Sequence, residues 1–413
     1  MSERTDAPGP LRRRGPRPLA LHLSLAMLRS SASAAASASL NPAWPSSNPG
    51  FLPPAAAAIA AALRAGGSET AFPAAVLAEA QRQDGALVAG IAAYRRHPYV
   101  RALPDPPSLW AEGGSRLLDY GAPGAGGPVM LFVPSLVNRA YVLDLAPGRS
   151  MLRWLAGQGV RPLLLDWGWP GEIERGFTLT DYIAGRLERA LVAAAGVAGG
   201  KVVLAGYCMG GLLALAAAGR RGDLVAALAL LATPWDFHAG GAEAAGAVGR
   251  MLPLLEPVLA LSGTLPVDAL QVLFALLDPW GVAEKYRGFA RLDPAGARAL
   301  AFVALEDWLN DGVPLAAPVA RECLAGWYGA NTPARGAWRV AGLPVEPRAL
   351  ALPALVVVPG HDRIVPPPSA LALAAAIAGA RVVTPAAGHI GMVAGAGAER
   401  ASWGVLRDWV RGL

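Results

Sequence analysis

Six short runs of almost continuous apolar residues, separated by stretches with helical spacing, constrain this chain more than any other feature of it. They are Val129 to Val133, Arg161 to Trp167, Lys201 to Tyr207, Ala226 to Thr233, Leu355 to Pro359 and Arg381 to Thr384. A strand that is apolar at every position, not at alternate ones, must be covered on both faces, as strands of a parallel sheet flanked by helices are. The expectation is therefore an α/β protein with a mostly parallel central sheet.

One interval does not fit a simple crossover. About 115 residues, from 236 to 350, separate two successive strands, which predicts an inserted helical cap, with Met251 to Leu261 and Val267 to Leu277 helical in composition. The core is then expected at 116–235 and 351–413, preceded by a helical N-terminal region at 57–115, where Ala55 to Arg64 and Phe72 to Arg95 carry Ala and Leu at helical spacing. Residues 41–56 hold five prolines and read as a linker. Before it, Arg12 to Arg17 precede an apolar stretch from Leu19 to Leu28 and the small residues Ser31 to Ser39. This resembles a secretory signal, but His22 and Ser24 interrupt the apolar run and Pro16 and Pro18 precede it. An amphipathic, surface-seeking helix is the expectation, with export and a disordered leader the lesser alternatives.

Composition narrows the function classes. Apolar residues make up 54% and charged residues 16% of the chain, which excludes a disordered one. The net charge of +6 comes almost wholly from arginines, which beyond the leader are scattered singly or in pairs, with lysine only at Lys201 and Lys285; without a basic cluster, nucleic-acid binding is not expected. Cys208 and Cys323 are too few for a disulfide framework or a cysteine-rich zinc site, and no metal-ligand cluster is visible. A reduced compartment, the cytoplasm, follows.

The chemistry concentrates at Gly206-Tyr207-Cys208-Met209-Gly210-Gly211, which follows a strand and opens a helical run. That context is what a nucleophile elbow of the G-x-S-x-G type requires, here with Cys for Ser. Glycines flank the nucleophile because neighbouring backbone passes too close for a Cβ. A thiol at the helix N-terminus is placed where the dipole and free amides favour thiolate. The bland alternative is a small buried Cys in a turn; the strand context argues against it.

An elbow needs an acid and a base after it in sequence. Asp362 directly follows the strand ending at Pro359, and His389 follows the last strand, so imidazole and carboxylate are expected beside Cys208. His361 is a rival base, but adjacent residues at a strand end point apart. His22, His97 and His238 lack this context and read as structural; Cys323 reads as a buried cap residue. The oxyanion formed in acyl transfer needs two backbone donors, expected at Met209 and, because Pro134 has no N–H, at Leu136 in the loop after Val133. Together these readings predict an α/β-hydrolase fold with helices on both faces of the sheet. A cysteine in place of serine suits acyl groups arriving as thioesters, since the acyl-enzyme is itself a thioester and remains energetic enough to form an oxygen ester.

Further segments carry a family resemblance: Pro134-Ser135-Leu136-Val137-Asn138-Arg139 running into Tyr141 to Leu145, Asp166-Trp167-Gly168, Leu179-Thr180-Asp181-Tyr182-Ile183, the Cys208 elbow, Asp362 to Pro367, and Gly388-His389-Ile390-Gly391-Met392. In this order, over about 129–413, they resemble the polyhydroxyalkanoate synthases. The resemblance implies an acyltransferase that polymerises (R)-3-hydroxyacyl-CoA into polyester and releases CoA. Cys208 would carry the growing chain, His389 would deprotonate it, and Asp362 would orient His389 or help activate the incoming hydroxyl. It implies no cofactor beyond the CoA thioester substrate, a homodimer or a partner synthase subunit, and a place at the polyester granule surface. The cap echoes the family only loosely, at Asp307 to Asp311, Glu322 and Asn331. A Cys-dependent hydrolase, either an intracellular polyester depolymerase or an enzyme like dienelactone hydrolase, is the alternative. A granule-binding protein without activity is the third reading.

Overall fold

A computed structural model describes residues 13–39, 54–66, 71–121 and 126–413; most of the leader's arginine group is included, whereas the linker up to residue 53 lies outside the described residues. The chain divides into two compact units, one of residues 1–99 with 274–310 and the other of 100–273 with 311–413.

The larger unit is built on an eight-stranded sheet: β1 (Ser108–Glu112), β2 (Ser115–Asp119), β3 (Val129–Val133), β4 (Arg161–Asp166), β5 (Val202–Tyr207), β6 (Val225–Leu231), β7 (Ala354–Val357) and β8 (Arg381–Val383). Their order is β1-β2-β4-β3-β5-β6-β7-β8. From β4 to β8 every pairing is parallel, and β2 runs antiparallel to both its neighbours. The six apolar runs all form strands of this sheet, and β3 and β5 are buried at every position. Leu131, Val133, Leu163 and Leu165 share one core with Leu187, Leu191 and Leu212 of the flanking helices. Met130, Phe132 and Leu164 point to the other face by the two-residue period and are equally buried.

The order also fixes where chemistry can occur. From β3 the chain moves outward to β4, then returns across β3 to β5, so the connections reverse direction between β3 and β5. With right-handed crossovers, such a reversal puts the two connecting helices on opposite faces and leaves a crevice beyond the C-terminal ends of the strands where they part. Leu136 and Cys208 stand just beyond β3 and β5.

Two boundaries differ from the sequence reading. Residues 108–115, expected in the helical N-terminal region, form β1 and the start of β2. Their mixed polar sequence and the exposure or partial exposure of every β1 position give no apolar run to read. The expected cap, 236–350, is divided as well: residues 274–310 belong to the smaller unit. There Tyr286, Phe289, Ala299 and Val303 form one core with Leu87, Ile91 and Tyr94 of helix Phe72–Arg96. Phe289 stacks on Phe302 with ring centroids 4.4 Å apart.

The leader also departs from expectation. Residues Leu19–Ser39 form a helix, but its Ala26, Leu19 and Leu23 pack in the same aromatic core, and His22 is buried with Nε2 bonded to the Arg17 carbonyl at 3.1 Å. Arg13 and the Tyr94 hydroxyl both donate to Asp307, at 2.7 and 2.9 Å. The adjacent Glu306, almost wholly buried, accepts from Lys285 and the Tyr286 hydroxyl at 2.7 and 2.9 Å. Every buried carboxylate there has partners, as buried charge requires.

Candidate active site

Cys208 stands at the bend between β5 and helix Met209–Arg220 with φ 56° and ψ −129°, a backbone that costs an L residue about 1–3 kcal/mol and persists where its surroundings enforce it. They do so here by close packing. Cys208 N–H donates to the Leu231 carbonyl and its own carbonyl accepts from Gly211 N–H, both at 2.9 Å. A Cβ on Gly206 would lie 2.4 Å from the Gly211 Cα, and one on Gly210 would lie 2.1 Å from the Val133 carbonyl oxygen. Only glycine lets the helix start so close to β3.

Asp362 and His389, 27 residues apart in sequence, meet in space: Nδ1 of His389 donates to Oδ2 of Asp362 at 2.7 Å. The other carboxylate oxygen accepts from Ile364 N–H and Val365 N–H at 2.8 and 2.9 Å. Both side chains are buried, so the carboxylate is held in one orientation and fixes the imidazole tautomer that leaves Nε2 free for the nucleophile. The imidazole is also close enough to Cys208 to be affected by its charge. Burial by itself would lower the pKa of His389; the electrostatic influence of Cys208 and the bond to Asp362 outweigh it and raise the value to about 10. His389 therefore holds a proton well above the range of a free imidazole.

Tyr207, a spacer in the sequence motif, has a structural task that its sequence position did not reveal. Its ring lies 5.1 Å from the imidazole of His389 and its hydroxyl donates to the His389 carbonyl at 3.2 Å. The loop after β3 is fixed by Trp167, whose Nε1 donates to the Pro134 carbonyl at 3.0 Å. It passes close to the elbow at Val133 and Pro134, as the Gly210 contact shows, and Leu136, two residues further on, is buried. Met209 N–H opens its helix and has no acceptor within it.

The rival candidates lie elsewhere or have other tasks. His361 is exposed while Asp362 is buried. Cys323 is buried, which pushes its thiol pKa up and makes it a poor nucleophile. Nε2 of His97 and of His238 bonds the carbonyls of Pro294 and Tyr328, each at 2.8 Å. Sequence reasoning missed Tyr328, which is close enough to Cys208 to sense its charge. The only local signal was an aromatic pair, Trp327-Tyr328, ahead of Asn331. Among the described residues no group of His, Cys, Asp or Glu could hold a metal ion.

The alpha/beta hydrolase family model matches residues 122–401. The chain is 29% identical to the poly(3-hydroxyalkanoate) polymerase subunit PhaC of Haloferax mediterranei over 68% of its own length and 58% of that protein. It is 30% identical to the subunit of the same name from Synechocystis, covering 59% of this chain and 66% of the relative, and 28% identical to that of Allochromatium vinosum, covering 70% and 82%. The chain thus matches less than two thirds of the length of the first two relatives.

Proposed function

The chain belongs to the α/β-hydrolase family, and from that premise we propose that it is an acyltransferase that polymerises (R)-3-hydroxyacyl-CoA into polyhydroxyalkanoate with release of CoA. The observation that carries this reading is the nucleophile. A cysteine stands at the elbow where serine is usual, its charge felt by the hydrogen-bonded His389–Asp362 pair, in a chain whose named relatives are polymerase subunits. His389 takes the proton of Cys208, and the thiolate attacks the thioester carbonyl. The developing oxyanion is met by the N–H groups of Met209 and Leu136. The C–S bond to CoA breaks, CoA leaves with the proton held by His389, and the acyl group remains on Cys208. The hydroxyl of the next 3-hydroxyacyl unit then gives its proton to His389 and attacks the Cys208 thioester; the ester C–O bond forms, the C–S bond to Cys208 breaks, and His389 returns the proton to the departing sulfur. Asp362 stabilises His389 while it carries each proton.

No cofactor is needed beyond the CoA thioester. The reading places the protein in the cytoplasm at the polyester granule surface, as a homodimer or with a partner synthase subunit. A surface on helix Leu252–Ser262 suits apolar contact, since Leu254 and Leu261 are 77% and 91% exposed.

Purified protein incubated with (R)-3-hydroxybutyryl-CoA should release CoA and yield insoluble polymer. Free 3-hydroxybutyrate in place of polymer would replace the synthase by the hydrolase reading, and no turnover would favour a granule-binding role. Cys208→Ala should abolish turnover with the fold intact and Cys208→Ser should lose most of it; wild-type rates in the Ala variant would refute the nucleophile.

A further inference from the structure

The residue that precedes the nucleophile lies against the base. Tyr207 ends β5, and its pairing with Leu231 of β6 fixes it at the C-terminal edge of the sheet. Its ring and the imidazole of His389 have centroids 5.1 Å apart and planes inclined at 35°. Two rings side by side in one plane touch only at their edges, which keeps their centroids about 6 Å apart or more at normal contact distance. At 5.1 Å the imidazole lies partly over the face of the phenol. The Tyr207 hydroxyl donates to the His389 carbonyl at 3.2 Å, so one side chain touches both the ring and the backbone of the base. Both residues are buried, and burial pushes the ionisation of the phenol well above its usual range, which keeps that ring neutral.

The face of an aromatic ring carries negative partial charge, and a cation within about 6 Å of its centre is attracted to it, more strongly where water is excluded. A protonated His389 meets that condition. The titratable groups set against its imidazole come from three elements: Asp362 beyond β7, bonded to Nδ1 at 2.7 Å, Cys208 at the elbow, whose charge reaches it, and Tyr207 on β5. Asp362 acts through a hydrogen bond in the plane of the ring. Tyr207 acts from the face, where the imidazole has no N–H to offer.

We propose that the ring of Tyr207 stabilises the protonated imidazole of His389 by a cation–π contact, while its hydroxyl holds the backbone that carries that imidazole. Tyr207 is then a positioning residue with an electrostatic part: it helps His389 keep its proton between the two transfers of an acyl-transfer cycle. That consequence rests on the reading of His389 as the proton carrier; the contact itself does not, and it is measured without substrate.

The test is the titration of His389 in the full-length protein, followed by NMR of carbon-13-labelled histidine, its signal identified by its loss in His389→Gln. Tyr207→Phe keeps the ring face and should titrate as the wild type does. Tyr207→Leu keeps the site apolar without the face, and its His389 should titrate about one pH unit lower. The direction is diagnostic, because water admitted by the smaller side chain would relieve desolvation and move the value up. A value unchanged or raised in the leucine variant overturns the proposal. An equal fall in Tyr207→Phe overturns it too, since the effect then belongs to the hydroxyl bond. Should the leucine variant not fold, phenylalanines carrying one and then three fluorines at position 207 keep the shape and drain charge from the ring face; the titration must step down along that series, and a constant value overturns the contact. Failure of the wild type to release CoA from a thioester would remove the synthase reading and leave the titration result standing.

Discussion

His389 sits where burial favours a neutral ring, and its neighbours reverse that preference. Its pKa is raised from 6.5 to about 10 by Cys208 and Asp362 working against desolvation, so the folded protein holds this proton more tightly than the unfolded chain does. A raised value contributes stability that is complete below the unfolded pKa of 6.5 and is lost as the pH climbs through the folded value. Urea midpoints of the wild type should therefore decline more steeply between pH 6.5 and 10 than those of His389→Gln, and parallel curves would contradict the pairing. The same variant should slow acyl loading by about 10². At this scale the sequence was informative for a physical reason: Cys208, Asp362 and His389 each follow a strand's C-terminal end, so the sheet's regularity projects their positions. Tyr328 was not legible. It sits on a helix of the inserted segment, where no strand end projects its position.

The elements carry the site through their spacing, and helix Met209–Arg220 provides an internal comparison. A Cβ added at Gly210 would lie 2.1 Å from one backbone oxygen of the β3 loop and 2.5 Å from another, and backbone cannot swing aside as a side chain can. Gly210→Ala should cost about 1–3 kcal/mol and displace Met209 N–H from the oxyanion, lowering the rate by about 10² or more. At the other end of the helix Gly219 is exposed with nothing near its missing Cβ. There alanine should stabilise by about 1 kcal/mol through helix propensity alone, leaving turnover unchanged. Thermal midpoints and turnover of the two variants separate the cases. The parallel strands could be read because burial on both faces makes them apolar throughout. β1 and β2 could not, since an antiparallel edge keeps polar positions and leaves no continuous run.

The whole chain is organised around two cores, and the second was hidden from the sequence because it is assembled from segments some two hundred residues apart. Periodicity finds a helix but not its partner, so residues 274–310 read as part of one cap, and the leader read as a surface-seeking helix. In the smaller unit the leader's apolar face is instead used internally. Ala26 is 4% exposed beside Leu87, Ile91 and Tyr94, whereas the next residue, Met27, is 67% exposed. Adjacent positions on one helix thus give opposite expectations for the same change. Ala26→Asp would bury a carboxylate with no partner provided for it and should destabilise this unit by about 3 kcal/mol or more. Met27→Asp should stay within about 0.5 kcal/mol of the wild type. Differential scanning calorimetry of the full-length protein measures both. If the two substitutions are equally silent, the helix is not held in that core, and the membrane- or granule-seeking leader regains its place as the better account of residues 19–39.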